Sequence, residues 1–211
     1  MNDAVDILLP PLFKPSGEVM SRGQAYKEGK WLGTFNLWVV TNSPEPAIIY
    51  QQRGPDRGWA PNLLDVTAGG QYLSGETLLD GLREVKEELG KDYSPKQMRQ
   101  LGRKVYVGPN TDGTWRHDIV DIFMVQDDEP LDSYHLQAEE VYAICACPIK
   151  ELLQAHQGES YSFEVTALTA TGERKQITVS KRMFPENWDD YHHKIATLAD
   201  RYFRGERHLV Y

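Results

Sequence analysis

Glu84, Glu87 and Glu88 are the residues in this chain best suited to chemistry. They stand at i, i+3 and i+4, so on a helix turning about 100° per residue three carboxylates share one face. Like charges at that spacing cost an exposed helix about 0.2–0.5 kcal/mol per pair, and the plain alternative is a solvated acidic face. Their surroundings favour a site: Gly69-Gly70, Gly75-Glu76, Arg83-Glu84 and Glu87-Glu88-Leu89-Gly90 form a spaced set rather than a run of charge. Hard divalent cations take carboxylate, carbonyl and water oxygens and often work together with substrate phosphates. Paired glycines let backbone carbonyls come close to such an ion. Arg53, Arg57 and Arg116 are the candidate phosphate contacts, because a guanidinium meets phosphate in two-pronged fashion. Trp59 and Trp115 could stack on a base or simply pack.

These side chains need elements to position them. Leu78, Leu82, Val85 and Leu89 recur at spacings of 4, 3 and 4, which predicts a helix over about Leu78 to Leu89 with the glutamates turned away from the apolar stripe. Thr77 with Asp80 resembles a capping box, and Gly90 is a stop signal. Strands are expected at Phe35–Val40, Ala47–Gln52, Lys104–Val107, Ile119–Val125 and Val141–Cys147, with a helix over Ile149–His156 after Pro148. Residues 1–30 read as a hairpin turning at Lys14–Glu18, followed by a short helix from an Ser21 N-cap through Tyr26. Residues 161–184 alternate like an appended hairpin, expected to cover a substrate cleft or a subunit interface because a lone two-stranded ribbon is marginal. A terminal helix is expected over 188–203, closed by Gly205. The sum is one α+β domain spanning 1–211.

Composition narrows the partners. The 211 residues suit one domain with additions. A balance of 23 basic against 31 acidic side chains, net −8, disfavours a nucleic acid polymer. The longest uncharged stretch, about Val141 to Ile149, is far short of the roughly 20 residues a membrane helix needs. Asp3 and Asp6 stand where a signal peptide would carry positive charge. A cytoplasmic protein is expected, with Cys145 and Cys147 as a buried reduced pair, since no C-x₂₋₄-C or H-x₃₋₅-H spacing offers zinc its four ligands.

At Gly70, Glu76 and Arg83-Glu84-Val85-Lys86-Glu87-Glu88-Leu89-Gly90 the sequence resembles the signature of the Nudix family, G-x₅-E-x₇-R-E-U-x-E-E-x-G-U, with U aliphatic. Six residues rather than seven separate Glu76 from Arg83, and Lys91 replaces the last aliphatic residue. That shortening puts any role carried over to Glu76 in doubt and leaves the other three glutamates in register. Glu18–Val40, Gln52-Arg53, Leu64–Gly70 and Glu139-Glu140-Val141 look like the branch of the family related to isopentenyl diphosphate isomerase. The resemblance implies an α/β/α sandwich, a mixed sheet gripping the motif helix. It implies a hydrolase that cleaves a pyrophosphate bond in a nucleoside diphosphate-type or related organic diphosphate with Mg²⁺ or Mn²⁺. Glu84, Glu87 and Glu88 would be the metal ligands, with the Gly69 carbonyl as a further one, and Arg83 would pair with a motif glutamate. Glu84, Glu88 and a downstream carboxylate, Glu139 or Glu140, are the candidate catalytic groups, of which Glu140 is preferred. The partner is then a small molecule, with a homodimer compatible. Two other readings stand beside this one. A non-catalytic binding module is one. The isomerase is the other, disfavoured because Asp65–Gln71 holds no cysteine and Gln24–Val39 no histidine.

Overall fold

The computed structural model of the chain describes residues 3–158 and 160–211. Met1 and Asn2, the start of the expected 1–30 unit, and Glu159 lie outside the described residues.

The chain opens with β1 (Ala4–Leu9) and β2 (Lys14–Ser21), then α1 (Arg22–Lys27), β3 (Trp31–Thr41) and β4 (Ala47–Arg53). Short strands β5 (Leu64–Asp65) and β6 (Ala68–Gln71) lead to α2 (Leu82–Leu89). There follow β7 (Arg99–Pro109), β8 (Trp115–Gln126), β9 (Val141–Pro148), α3 (Ile149–Gln157), β10 (Ser162–Thr169), β11 (Arg174–Ser180) and α4 (Tyr191–Phe203). The strand placements agree with the periodicities, α2 begins four residues later than the apolar spacing predicts, and the mixed α+β architecture is the one the family resemblance implies.

All strands belong to one mixed sheet, organised around β3. Along one edge β3 pairs in parallel with β8, Trp31 opposite His117 through Val40 opposite Gln126. Its other edge meets β1 at Trp31, β6 at Thr34–Leu37 and β4 at Val39–Thr41. Alternation sorts the strand side chains onto two faces. On one face Trp38, Val40, Ile48 and Tyr50 pack with α3 and α4, through Leu152, Ile195 and Ala199. On the other Phe35, Leu37 and Val39 take Val85 and Leu89 of α2. Helices therefore cover both faces. No helix among the described residues is long and apolar enough to cross a membrane.

Three expectations are corrected. The N-terminal reversal is at Pro10–Phe13, not Lys14–Glu18: the two prolines lack the N–H a ladder needs, and Ser16-Gly17-Glu18 instead form a bulge between the Leu8–Pro15 and Asp6–Val19 pairs, with Gly17 at φ 87°. The terminal helix starts at Tyr191 rather than 188, because Asp190 adopts a left-handed conformation, φ 51°. The hairpin β10–β11 is no separate ribbon, and none of its residues lines the cavity described below. It extends the sheet beyond β9, Ala167 opposite Cys145, and sinks Val165, Ala167 and Val179 into the core beside α4. Cys145 and Cys147 are free and buried in that same core, their sulfurs 3.7 Å apart.

Candidate active site

The motif helix is seated by glycine. A Cβ on Gly81, just before α2, would lie 2.4–2.6 Å from Cγ, Cδ2 and Cβ of Phe35, so only a bare backbone fits that close to the sheet. The expected capping box is half formed. Asp80 accepts from both the Thr77 N–H and hydroxyl at 2.7 Å, but the helix proper begins at Leu82. Residues 77–81 are successive turns, and Leu78 and Leu79 are exposed rather than part of the apolar stripe. This run absorbs the short spacing. Glu76 accordingly reaches Arg83, whose Nε donates to its carboxylate at 2.9 Å. The same guanidinium holds Glu84 and Glu87, each at 2.8 Å. Arg83 is thus a clamp on three carboxylates, Glu76 among them.

Beside β6 lies a cavity of about 480 Å³, within the range of small-molecule sites. It brings together all the residues singled out as ligand, base or phosphate contact except Glu139: Gly69, Glu84, Glu87, Glu88, Glu140, Arg53, Arg57 and Arg116 line it. Glu88 is buried, contrary to a solvated acidic face, and accepts from the Gly69 N–H at 3.2 Å and Gln51 Nε2 at 3.3 Å. Burial, then the charges of Glu84 and Glu140, push its carboxyl up to about 8. Burial also raises Glu84, against the pull of Arg83. A Cβ on Gly70 would fall 2.3 Å from the Glu84 carboxylate, so this glycine too makes room for a ligand candidate. Glu87 is the exposed member of the three.

Of the downstream pair, Glu140 lines the cavity and meets Arg57 at 3.2 Å, while Glu139 is exposed outside it. Among the described residues no three His, Cys, Asp or Glu side chains already converge on one point. The donor set still suits a hard divalent cation. Three carboxylates share the cavity, and the most buried of them is met by neutral donors alone.

Each arginine is held by its own acid. Arg53 donates Nε to the Trp59 carbonyl at 2.9 Å and lies 3.5 Å from Asp65; Arg116 donates Nε to Asp118 at 2.8 Å. Trp59 lines the cavity with Arg53 and Arg116 at 5.3 and 5.0 Å from its ring, and its indole N–H goes to the Tyr106 hydroxyl at 2.8 Å. The ring therefore spaces two guanidiniums rather than waiting for a base. Trp115 is half-exposed and away from the cavity.

Sequence reasoning missed the far wall. Lys104 of β7 is buried, with Nζ 3.2 Å from Asp189, 3.1 Å from the Asn187 amide oxygen and 3.8 Å from the Tyr191 ring. Burial draws its ammonium down to about 8 against the pull of Asp189. The Tyr191 hydroxyl accepts from Asn36 Nδ2 at 3.0 Å and Trp38 Nε1 at 2.9 Å. Lys104, Asn187, Tyr191 and Asn36 all line the cavity. They come from elements far apart in the chain, and no local spacing announces them. Cys145 and Cys147 do not line it.

Comparison with known proteins agrees with this fold. The family profile of the NUDIX domain matches residues 33–169. An uncharacterized Nudix hydrolase of Clostridium acetobutylicum is 35% identical over 191 residues, spanning 86% of this chain and 91% of its own. The crystal structure of DR0079 from Deinococcus radiodurans superposes with a TM-score of 0.55 at 19% identity, covering 73% of this chain and 88% of that one. A MutT protein from Methanosarcina mazei Go1 gives 0.55 at 14%, covering 82% and 96%. The matched span takes in β3 through β10, the motif helix and the clustered glutamates, and on these grounds the chain belongs to the Nudix family of pyrophosphohydrolases.

Proposed function

We propose that this Nudix protein is a divalent-metal-dependent hydrolase that cleaves the pyrophosphate bond of a nucleoside diphosphate-type or related organic diphosphate. The observation that carries the reading is the pairing of opposites in one cavity: the carboxylates Glu84, Glu88 and Glu140 line it together with the guanidiniums of Arg53, Arg57 and Arg116. Glu84, Glu87 and Glu88, with the Gly69 carbonyl, would hold Mg²⁺ or Mn²⁺. The ion supplies neutralisation of the diphosphate and a lowered pKa for the attacking water. Arg83 fixes the carboxylate orientations through its three ion pairs. Arg53, Arg57 and Arg116 draw the phosphates in, and Arg57 exchanges Glu140 for a phosphate oxygen. Glu140, released, takes a proton from water as its oxygen bonds to phosphorus and the bridging P–O bond breaks. The leaving phosphate carries off the electron pair.

The cysteines' place in the core, away from the cavity, favours hydrolysis over isomerisation. Retention of all the motif glutamates favours it over a silent binding module. Phosphate release from a panel of nucleotide and isoprenoid diphosphates, with Mg²⁺ and with EDTA, tests the reading. Release that needs the metal is expected. Turnover that persists in EDTA, or none on any diphosphate, would refute it.

A further inference from the structure

Two polar atoms at the cavity wall have no protein partner. Asp118 is fully buried on β8, and Arg116 directs both Nε and Nη2 to the same carboxylate oxygen, Oδ2. Oδ1 accepts nothing. Thr34 on β3 is 4% exposed, and its hydroxyl is likewise without a partner. The parallel register sets Leu32 opposite Asp118 and Thr34 opposite Val120. Thr34 and Asp118 are therefore diagonal neighbours on one face of the sheet, and both line the cavity with Arg116.

The chemistry of these atoms is restrictive. A carboxylate oxygen held by an arginine accepts hydrogen bonds, and a hydroxyl both donates and accepts. Buried acceptors are nearly always met, and one left unmet weighs against whatever state leaves it so. Arg116 neutralises the charge of Asp118 through Oδ2 and leaves Oδ1 buried and unpaired in a residue that lines the cavity.

We propose that Asp118 Oδ1 and Thr34 Oγ1 form a recognition subsite for a hydroxyl or amino group on the organic part of the substrate. The inference deepens the hydrolase reading and rests on it for the diphosphate. A nucleoside brings sugar hydroxyls and base amino groups that satisfy both atoms. An isoprenoid chain brings only hydrocarbon and offers neither buried atom a partner. Sites built to bond a substrate hydroxyl or amine reject the analogue lacking it by as much as about 10⁴–10⁵-fold. Asp118 and Thr34 are thus specificity-determining residues that select polar organic diphosphates over alkyl ones.

Calorimetric titration of the full chain with ADP and with isopentenyl diphosphate, each with Mg²⁺, tests this without relying on turnover. The wild type is expected to bind ADP tighter by on the order of 10²-fold. Thr34→Val, which keeps shape and β-branching, should weaken ADP about 10-fold and leave isopentenyl diphosphate unchanged. Asp118→Asn, which presents an amide donor beside Arg116, should abolish the preference; if it fails to fold, the Thr34 variant still decides. Equal affinities in the wild type, or a preference that survives Thr34→Val, overturn the subsite. An ADP preference that behaves as expected in a protein with no hydrolytic turnover counts against the hydrolase reading alone.

Discussion

Replacing Gly81 by alanine tests how closely the motif helix sits on the sheet. Its backbone is ordinary right-handed helix, φ −56° and ψ −17°, so alanine should gain up to about 1 kcal/mol in local propensity. Sterics oppose that. The new methyl would lie 2.4 Å from Phe35 Cγ, about 1 Å inside normal contact. Phe35 has nowhere to go: its ring stacks on Phe123 at 5.3 Å and meets Tyr72 edge-on at 6.4 Å. The start of α2 must therefore rise, carrying Glu84 and Glu88. Overpacking of this kind costs about 1–3 kcal/mol. For a chain this size that lowers Tm by roughly 2–4 °C per kcal/mol. Displacing catalytic groups by about 1 Å can cost a further 10²-fold in rate. Gly23→Ala is the control, since a Cβ there meets nothing within 4 Å. Thermal unfolding and Mg²⁺-dependent phosphate release should show Gly81→Ala impaired in both and Gly23→Ala in neither. Wild-type melting and rate in Gly81→Ala would refute the close seating.

Other outcomes follow from the same structure. Glu88→Gln should lose turnover by orders of magnitude while melting no lower than wild type, because the amide keeps the shape and an oxygen to accept from the Gly69 N–H and Gln51; a wild-type rate would move the ligands elsewhere. Burial, then His193 and Lys181, depress His156 to about 4, and burial holds His192 well below its usual value. The unfolded chain binds these protons first, so stability should fall as pH drops from 6.5 towards 4. Denaturant midpoints across that window check it, and His192→Phe, set among Trp38, Tyr50 and Phe184, should flatten the slope. Excising β10–β11 with a Gly-Ser link should destroy cooperative unfolding, because Val165, Ala167 and Val179 leave the core; a folded product with altered KM would restore the cleft-cover idea.

What the sequence disclosed was what is local. The spacing of Leu82, Val85 and Leu89 marks α2, and the glutamate register marks one wall of the cavity. The arginines stand out because guanidinium chemistry makes them candidates wherever they fall. Glu76 was obscured by the assumption that helix runs back to Leu78, when turns at 77–81 reset its direction. Asp118 reads as one polar residue in an apolar strand, and its meaning depends on β3 lying beside it. Lys104 and Tyr191 acquire a role only when strand and terminal helix meet across the sheet. Pro15 and Gly17 imitate a turn, and only the ladder between β1 and β2 shows the bulge they make.

The saturation of β3 on both edges has a consequence for how activity is acquired. Its parallel pairing with β8 joins residues about 85 positions apart, and the intervening chain carries the motif helix. Long loop closures of this kind come late and slowly in folding. The cavity wall bearing Asp118 and the wall bearing Glu88 are brought to register only by that closure. Backbone amides of β3 should therefore be among the last to exchange with deuterium, opening only with the whole molecule. Binding competence becomes an all-or-none property of the chain, so a nascent or partly opened molecule presents carboxylates and arginines that have not yet met.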